Sequence, residues 1–285
     1  MEKSNRKNEK KPRVSVIMGV YNAKNKRMIN QSLQSVFSQT FRNFELIICD
    51  DGSTNLCAAY LKKIAQKSEK VRLIRNEKNM GLAYSLNRCL DMAQGEYIAR
   101  MDIDDISSED RFEKQVIFLD KHPSFAFVGS SIILFDEEGE WGTRKYKACP
   151  VKKDFLRYSP FVHPSAMFRR EVLQSVGGYC TRWYTRRTED YDLFLRLYQG
   201  GYIGYNIQEL LYRYREGEDT YDRRVYQDRI AEAYVRMIGF WKLGLYPVAI
   251  PFVLKPLCVG IVPQNWIRRY RKWTYKRYRE GKDLG

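Results

Sequence analysis

This chain of 285 residues has few histidines, and its cysteines show no regular spacing. With His122 and His163 as its two imidazoles, any acid–base or metal chemistry must depend mainly on carboxylates. The six cysteines include no C-x-x-C pair, so their spacing suggests neither a zinc site nor a disulfide framework. The N-terminal residues are polar and lack the apolar core of a signal peptide. We therefore expect a protein of the reducing cytoplasm.

Glycine-rich phosphate loops are also missing. The turn after the first predicted strand reads Gly19-Val20-Tyr21-Asn22, not G-x-G-x-x-G, and no G-x-x-x-x-G-K-[ST] occurs in the sequence. A diphosphate would therefore not lie on a glycine loop at a helix N-terminus. If the chain binds a nucleotide, we expect carboxylates and a cation to hold it.

The positive charge of the chain is concentrated at its ends. The formal net charge is +16; residues 1–13 supply +4 (six Lys/Arg less two Glu) and residues 264–285 supply +6 (eight Lys/Arg less two acids). The 250 residues between them therefore supply only +6. A hydrophobic content of 44% excludes wholesale disorder. Contact with a polyanion is expected of the termini alone.

The first hundred residues alternate between two hydrophobic patterns. Short β-rich apolar runs at residues 14–20, 44–49, 71–74 and 97–99 predict strands, and the segments between them have helical periodicity. Such alternation predicts βα units and a doubly wound, mostly parallel central sheet flanked by helices. In these sheets ligands bind beyond the carboxyl ends of the strands, where the winding reverses.

Acidic residues follow two of these predicted strands. Asp50 and Asp51 end the second strand, and Asp102, Asp104 and Asp105 follow the fourth. Carboxylates packed this closely repel one another unless a cation lies among them, and Mg²⁺ or Mn²⁺ is the usual choice beside phosphates.

Structural alternatives exist for these acids. The second cluster could be an acidic turn in which Asp105 or Ser107 caps the following helix. Asp51 could be an Asx-turn residue beside Gly52. The position of both clusters at strand ends favours a binding site over these alternatives.

Five motifs in order give the chain a resemblance to the family 2 glycosyltransferases of the GT-A fold, over residues 13 to about 215. They are the strand ending in Tyr21-Asn22, Asp50-Asp51-Gly52-Ser53-Thr54, Asn79-Met80-Gly81-Leu82-Ala83 with Asn87, Gly95-Glu96-Tyr97-Ile98, and Asp102-Ile103-Asp104-Asp105. One departure is Met18-Gly19, where many members have a proline. This pair lies in the strand and does not touch the acidic residues.

The resemblance implies roles for the residues that bind the donor. Asp51 would accept a hydrogen bond from the base of a nucleotide sugar, and Asp50 would support that loop. Tyr21 would pack beside the base, although it could also be an ordinary core residue. Asp102 would contact the ribose or a metal-bound water, and Asp104 would ligate Mn²⁺ or Mg²⁺.

The second half of the resembling region carries the predicted acceptor chemistry. Glu189-Asp190 resembles the family's E-D motif, in which the aspartate is the general base, and Glu189 would orient it. The structural alternative is a helix start with Thr188 as its cap.

Aromatic and imidazole side chains near that motif have two interpretations each. Trp183 and Tyr184 could stack on an acceptor sugar or pack under their own loop. His163 could lie near the donor sugar or serve as a hydrogen-bonded structural residue.

The C-terminal segment has a different composition. A helix is predicted over residues 221–242, followed by the apolar residues 243–263, whose four prolines disfavour a straight membrane span. Residues 266–279 then alternate Trp/Tyr with Lys/Arg, which is typical of an interfacial anchor on anionic lipid. Packing of the apolar residues onto the catalytic domain is the alternative.

These observations predict three segments: a basic leader (residues 1–12), a GT-A domain (13–220) and a helical membrane-associating tail (221–285). Within the domain, residues 13–105 would form the nucleotide-sugar half and residues 106–220 the acceptor half. The resemblance implies an inverting, Mn²⁺- or Mg²⁺-dependent transferase that uses a nucleotide sugar, most often a UDP-sugar. Its acceptor would be a saccharide or lipid-linked oligosaccharide of a surface polysaccharide, at the inner face of the cell membrane.

Three other functions can be weighed against this prediction. A sugar nucleotidyltransferase would need a Gly/Arg-rich phosphate loop after the first strand, which is missing. A nucleic-acid binder would leave five carboxylates at two strand ends unexplained, so we expect no nucleic-acid partner. A non-catalytic scaffold of a polysaccharide-synthesis complex does not need the intact acidic set. Oligomeric state cannot be read from these patterns.

Overall fold

The computed structural model describes residues 11–216, 225–262 and 266. Most of the predicted basic leader, and the cationic residues 268–282 of the predicted tail, lie outside the described residues. The described strands are β1 (Val14–Val20), β2 (Phe44–Asp50), β3 (Val71–Arg75), β4 (Tyr97–Arg100), β5 (Ile106–Ser107), β6 (Phe127–Asp136), β7 (Gly139–Arg144), β8 (Met167–Arg169) and β9 (Gly204–Arg215). The described α-helices are α1 (Lys26–Phe37), α2 (Cys57–Lys67), α3 (Leu82–Met92), α4 (Arg111–Lys121), α5 (Arg170–Ser175), α6 (Glu189–Gln199), α7 (Tyr226–Lys242) and α8 (Ile250–Ile261).

The strands form one mixed sheet in the order β3-β2-β1-β4-β8-β6-β9-β5, with β7 paired to β6. The first four strands are parallel and are covered by helices, as the alternating pattern predicts. β1 and β2 are almost wholly buried, which explains their continuous apolar sequences. The chain winds from β1 outward to β3 and then returns to place β4 on the other side of β1. The winding therefore reverses between β1 and β4, where a ligand crevice is expected.

The second half of the sheet is built differently. β8 pairs antiparallel with β4 and β6, while the long strands β6 and β9 run parallel to each other. β6 also forms a hairpin with β7. The sequence pattern did not predict β9, because its outward residues are polar and charged.

The C-terminal helices share the core of the domain. Val235, Phe240, Leu243 and Ala249 are buried in the same hydrophobic cluster as the α6 side chains. The Arg236 guanidinium donates a hydrogen bond to the carbonyl of Leu156 at 2.9 Å. Among the described residues, no helix is both long and apolar enough to cross a membrane.

Candidate active site

The carboxyl ends of β1 and β2 are joined by reciprocal hydrogen bonds. The Asn22 N–H donates to Ser53 Oγ at 2.9 Å, and Asn22 Oδ1 accepts from the Thr54 N–H at 2.9 Å. Asn22 has a φ of 48°, a conformation that asparagine tolerates better than most residues. Tyr21 precedes this turn and is 49% exposed, so it is not a core residue. Its ring is available to a ligand at the edge of the sheet.

Asp51 organises the start of α3. Its Oδ1 accepts from Asn76 Nδ2 at 2.6 Å and from the Met80 N–H at 2.8 Å, and its Oδ2 accepts from the Gly81 N–H at 2.9 Å. The carboxylate is buried. These bonds explain the pairing of the Asp50-Asp51 motif with Met80-Gly81 in the sequence. Recognition of a base by Asp51 would have to use acceptor capacity that remains beside these bonds.

Asp50 stabilises the same loop through contacts with Ser53 and Arg75. Its Oδ1 accepts from the Ser53 N–H at 2.9 Å, and its Oδ2 lies 3.5 Å from Arg75 Nε. The Arg75 guanidinium also donates to the Ser53 carbonyl at 2.8 Å. Asp50 therefore fixes the turn through its backbone, in agreement with the supporting role that the resemblance implies.

Gly52 in this turn is sterically required, which gives a stability prediction. Its φ is +72°, and a Cβ at this position would lie 2.5 Å from the backbone carbon of Lys78. Gly244 has nearly the same φ, +71°, but a Cβ there would meet no described atom within 4 Å. We expect Gly244→Ala to cost ~1 kcal/mol of unfolding free energy, the cost of the left-handed conformation alone.

Gly52→Ala should cost ~3 kcal/mol or more, because the added methyl group must also displace backbone. Urea unfolding of both variants measures the difference. Equal losses in the two variants would contradict a steric role for Gly52.

A buried arginine links the end of β4 to the acidic cluster. Arg100 is 1% exposed, and its Nη2 donates to Asp102 Oδ1 at 2.7 Å. Burial by itself would lower the pKa of Arg100. The negative charge of Asp102, together with weaker interactions, more than offsets burial, so the pKa of Arg100 is raised overall. Its Nε and Nη1 are buried and have no hydrogen-bond partner within the described part of the chain. Asp102 is therefore held in one orientation by a permanently charged group.

Asp104 and Asp105 point in opposite directions. Asp104 is exposed, while Asp105 is buried and accepts from Tyr212 Oη at 2.9 Å and from the Arg215 N–H at 2.7 Å. The predicted alternative in which Asp105 or Ser107 caps the next helix is wrong. Asp105 instead attaches the cluster to β9, and Ser107 lies in β5.

The charges in this cluster shift its titration. Desolvation by the surrounding protein disfavours the charged form of Asp104, and the charge of Asp102 adds to this effect; together they raise the pKa of Asp104 to about 6. Burial and the charges of Asp104 and Asp102 raise the pKa of Asp105 as well. A cation at Asp102 and Asp104 would relieve this repulsion.

The two carboxylates fit a metal that arrives with a nucleotide. Within residues 11–216, 225–262 and 266, no group of three His, Cys, Asp or Glu side chains could hold an ion by itself. Mg²⁺ and Mn²⁺ in nucleotide sites commonly use one or two carboxylates and take the remaining ligands from phosphates. Asp102 and Asp104 provide that number.

The predicted general base, Asp190, and the neighbouring Glu189 lie in the first turn of α6. Glu189 and Asp190 are both partly buried, and burial together with the charge of Asp190 raises the pKa of Glu189 to about 7. Asp190 Oδ1 accepts from the Tyr191 N–H at 2.7 Å. The predicted helix start with Thr188 at the cap position is confirmed, although the Thr188 side chain makes no capping hydrogen bond. Its hydroxyl donates back to the Tyr184 carbonyl at 3.4 Å.

His163 is a buried neutral residue. Burial, and then the charge of Arg100, lowers its pKa well below the usual range. Its Nε2 lies 2.8 Å from Tyr179 Oη. The Tyr179 backbone is held by Asn87, whose Oδ1 accepts from the Tyr179 N–H at 2.8 Å and whose Nδ2 donates to the Tyr179 carbonyl at 2.7 Å. α3 thus positions Tyr179, and Tyr179 positions the imidazole.

Arg100 lies where the two acidic pairs meet. It bonds to Asp102, and its charge also lowers the pKa of Glu189 and of Asp104. The Tyr179 phenol in turn feels the charges of Asp190, Glu189 and Asp102. The fold therefore brings together the acids at the end of β4 and the acids at the start of α6. Neither Arg100 nor Tyr179 is recognisable as a site residue from the sequence; the one signal is an arginine two positions before Asp102.

Two of the predicted acceptor residues, Trp183 and Tyr184, pack against α7. Trp183 stacks on Tyr234 of α7 at a centroid distance of 6.0 Å, and Tyr184 contacts the same ring at 4.9 Å. This packing corresponds to the alternative in which they support their own loop, although Trp183 remains 69% exposed.

A parallel half-sheet with acids at its strand ends, together with a second acid pair at a helix start, is the arrangement expected of a glycosyltransferase of the GT-A fold. Comparison with known families agrees. The model of "Glycosyl transferase family 2" matches residues 15–177, and that of "Glycosyl transferase family group 2" matches residues 97–277. The chain belongs to glycosyltransferase family 2.

Relatives with known names cover most of the chain. A Bacillus subtilis protein named as a glycosyltransferase, EpsE, is 40% identical over 95% of this chain and 97% of its own length. An Escherichia coli enzyme named UDP-Gal:alpha-D-GlcNAc-diphosphoundecaprenol beta-1,3-galactosyltransferase is 31% identical over 75% of this chain and 78% of its own length.

Solved structures share the fold. S. aureus TarS 1-349 in complex with UDP-GlcNAc aligns with a TM-score of 0.64 and 17% identity, covering 87% of this chain and 71% of that chain. The mannosyltransferase PcManGT from Pyrobaculum calidifontis, in complex with GDP-Man and Mn²⁺, aligns with a TM-score of 0.60 and 19% identity, covering 96% and 84%. The prediction of a GT-A fold is confirmed.

Proposed function

We propose that this glycosyltransferase is an inverting, divalent-cation-dependent enzyme that moves a sugar from a UDP-sugar to a saccharide or lipid-linked oligosaccharide of a surface polysaccharide. The observation that carries the proposal is the meeting of two acid pairs at Arg100. Asp102 and Asp104 lie on the donor side, and Glu189 and Asp190 lie on the acceptor side. An inverting transfer needs a diphosphate site and a base on opposite faces of the reacting carbon.

The donor would lie along the carboxyl ends of β2, β1 and β4. Two strand spacings, ~10 Å, separate the β2 end from the β4 end. This length suits a base beside Tyr21 and Asp51 with its ribose and diphosphate extending toward Asp102 and Asp104. The E. coli relative is named for a UDP-sugar, and TarS was solved with one, which supports UDP over other nucleotides.

Asp190 would act as the general base. It would accept the proton of the acceptor hydroxyl while that oxygen attacks the anomeric carbon from the face opposite the diphosphate. Burial and the neighbouring charge of Asp190 raise the pKa of Glu189 to about 7, so Glu189 binds a proton more readily than an ordinary glutamate does. Glu189 would then orient its neighbour through the protonated form.

Asp102 and Asp104 would hold Mn²⁺ or Mg²⁺ together with the diphosphate. Such a cation neutralises the charge that develops on a departing diphosphate. Arg100 would keep Asp102 aimed at this site through its hydrogen bond to Oδ1. PcManGT was solved with Mn²⁺ beside its nucleotide sugar, which supports a divalent cation without distinguishing Mn²⁺ from Mg²⁺.

Thermal stabilisation by nucleotide sugars tests the donor assignment. A ligand that binds only the folded protein adds about 2.7 kcal/mol at one hundred times its Kd. We expect one UDP-sugar to stabilise the protein in the presence of Mn²⁺ and much less in EDTA. NMR of the product's anomeric proton would then test inversion. A protein stabilised by no nucleotide sugar, with or without Mn²⁺, would contradict the proposal and favour a non-catalytic scaffold.

Peripheral binding to the inner face of the cell membrane is the second part of the proposal. α8 carries one charged residue, and large apolar side chains are exposed on α8, on the residues that flank it and at the end of α7. This apolar C-terminal surface comprises Trp241, Val248, Ile250, Leu254, Ile261, Val262 and Trp266. The cation-rich residues 268–282 follow it directly in the sequence, as expected for a surface that meets anionic lipid. By contrast, Leu245, Phe252 and Val253 of the same apolar segment pack partly against the core.

A triple variant of the apolar C-terminal surface tests membrane binding. Val248→Ser, Leu254→Ser and Ile261→Ser together should weaken co-sedimentation with phosphatidylglycerol vesicles more than ~10-fold, because three apolar side chains no longer enter the lipid. Truncation after Lys242 is a poorer test, since it removes the buried residues Leu243 and Ala249.

The matched control replaces three exposed apolar residues that lie outside this surface and earlier in the sequence: Leu56→Ser, Ile117→Ser and Ile203→Ser. This control should bind vesicles as the unmodified protein does. High salt should reduce binding without abolishing it, since only the electrostatic part is screened. Equal binding by the two triple variants would show that the apolar C-terminal surface does not enter lipid.

A further inference from the structure

A second cleft lies beside the predicted base and away from the nucleotide half. It has a volume of about 590 Å³ and opens between the β6–β7 hairpin, the end of β9 and residues 158–164. Asp190 and His163 both line it, so it reaches the catalytic acids. Among the described residues, its lining comes entirely from positions 132–216. The cleft therefore belongs to the half of the domain that does not hold the nucleotide.

The walls of this cleft suit a sugar ring. Trp141, Tyr158 and Tyr214 present aromatic surface, and Ile132 and Leu134 add aliphatic surface. A pyranose has an apolar face of C–H bonds and a rim of hydroxyl groups, so it fits a site with aromatic walls and a few polar groups. Tyr158 is 60% exposed, so the face of its ring is accessible to a ligand in the cleft.

Tyr214 connects this cleft to the donor site. Tyr214 lines the cleft, and the next residue, Arg215, donates its backbone N–H to Asp105 Oδ1 at 2.7 Å, so β9 joins the cleft to the acidic cluster. A sugar bound against Tyr214 would thus have one edge toward the reacting centre and Asp190.

The rim of the cleft is basic. The Arg144 guanidinium is paired with Glu216 at 2.6 Å, which fixes it at the edge, and Lys145 beside it is exposed. Residues 144–157 contain six Lys/Arg and one acid, Asp154. Of these cations only Arg144 and Lys145 line the cleft, together with the acids Asp190 and Glu216. Because Arg144 is paired with Glu216, Lys145 is the cation in the lining that can face a negative group attached to a bound sugar.

We propose that this cleft binds the acceptor saccharide, with Tyr158 stacked on its ring and Lys145 facing a phosphoryl group attached to it. This inference rests on the proposed glycosyltransferase function and specifies its second substrate. It assigns the acceptor contacts to Tyr158, Trp141 and Tyr214 in place of Trp183 and Tyr184. An acceptor that consists of a sugar on a lipid diphosphate has this chemistry.

The test uses short-chain alkyl glycosides of glucose, galactose and N-acetylglucosamine as probes, each with and without a diphosphate between sugar and alkyl chain. Binding to the full chain is measured by ligand-observed NMR in the presence of UDP and Mn²⁺. Tyr158→Ala should weaken both forms of the bound probe ~5-fold or more, the value of one aromatic stack. Lys145→Gln should weaken only the diphosphate form, ~3-fold or more at low salt, and the difference should shrink as salt is added.

Matched controls are Tyr84→Ala and Lys121→Gln, exposed residues of α3 and α4 that lie outside the cleft. Neither should change probe binding. Trp183→Ala should also leave it unchanged.

Hydrolysis of the nucleotide sugar by water, assayed on the same samples, separates the two proposals. If Tyr158→Ala keeps both donor hydrolysis and probe binding, the cleft does not hold the acceptor. The inference is equally overturned if the unmodified protein hydrolyses donor but binds no probe, or if Tyr158→Ala impairs donor hydrolysis instead. If the unmodified protein neither binds nor hydrolyses a nucleotide sugar, the proposed function itself is contradicted.

Discussion

Replacement of Asp190 by asparagine is expected to lower kcat by ~10²-fold or more and to leave the Kd of the nucleotide donor within about twofold of its normal value. The amide has nearly the same shape as the carboxylate but cannot accept the proton of an attacking hydroxyl. Asp190 belongs to α6, whereas the proposed donor contacts come from the ends of β1, β2 and β4, so donor binding should not change. Initial rates at saturating donor and calorimetric titration with UDP measure the two quantities.

Glu189→Gln is the matched control, because it changes the adjacent carboxylate in the same way. With a pKa raised to about 7, Glu189 is already about half protonated at neutral pH, and the glutamine resembles that form. We expect it to retain more than about a tenth of kcat. A larger loss in Glu189→Gln than in Asp190→Asn would assign the base to the other member of the pair. Unchanged kcat with a raised KM in Asp190→Asn would make Asp190 an acceptor contact only.

The nucleotide half of the fold could be predicted from local sequence. The predicted strand at residues 14–20 coincides with β1, and the strand predicted at residues 44–49 is one residue shorter than β2. Buried parallel strands are short apolar runs, and here each ends at a turn rich in Asp, Asn or Gly. Both signals lie within a few residues of one another, so no knowledge of the tertiary structure is needed.

The second half could not be predicted in the same way. β9 contains Gln208, Glu209, Arg213 and Arg215, and it becomes a strand because it pairs with β6, about 80 residues earlier in the chain. A two-residue strand such as β5 has no periodicity at all and depends on its partner in β9. Strand formation here is a consequence of long-range pairing, which a sequence window does not contain.

The site shows the same division. The acids at the ends of β2 and β4 could be located because strand ends in a parallel sheet converge by geometry. The direction of an aromatic side chain, in contrast, depends on what packs beside it. Trp183 and Tyr184 are close to Asp190 in sequence but contact α7, while Tyr158 is distant in sequence and lines the cleft at Asp190. Likewise, the sequence could not show that Asp51 already accepts three hydrogen bonds.

Asp104→Asn should have the largest effect of any single replacement on the donor side, lowering kcat/KM by ~10²–10³-fold. Asp104 is the exposed member of the acidic cluster, so its replacement removes a charge without removing a structural contact of the side chain. Asp105 differs in this respect, because its two hydrogen bonds attach the cluster to β9. Asp102 differs as well, since its loss would leave the buried Arg100 without its ion-pair partner.

The decisive measurement is the Kd of UDP with Mn²⁺ and with EDTA, because it does not depend on turnover. In the unmodified protein Mn²⁺ should tighten UDP binding, and in Asp104→Asn the ratio of the two Kd values should fall to about one. Thermal unfolding should be unchanged or slightly improved, since a carboxylate with a raised pKa is destabilising when ionised at pH 7. Asp91→Asn, an exposed aspartate on α3, is the control and should keep the Mn²⁺ effect. If Asp104→Asn binds UDP with an undiminished dependence on Mn²⁺, the cation is held elsewhere, and Asp104 is only an acidic residue at the mouth of the crevice.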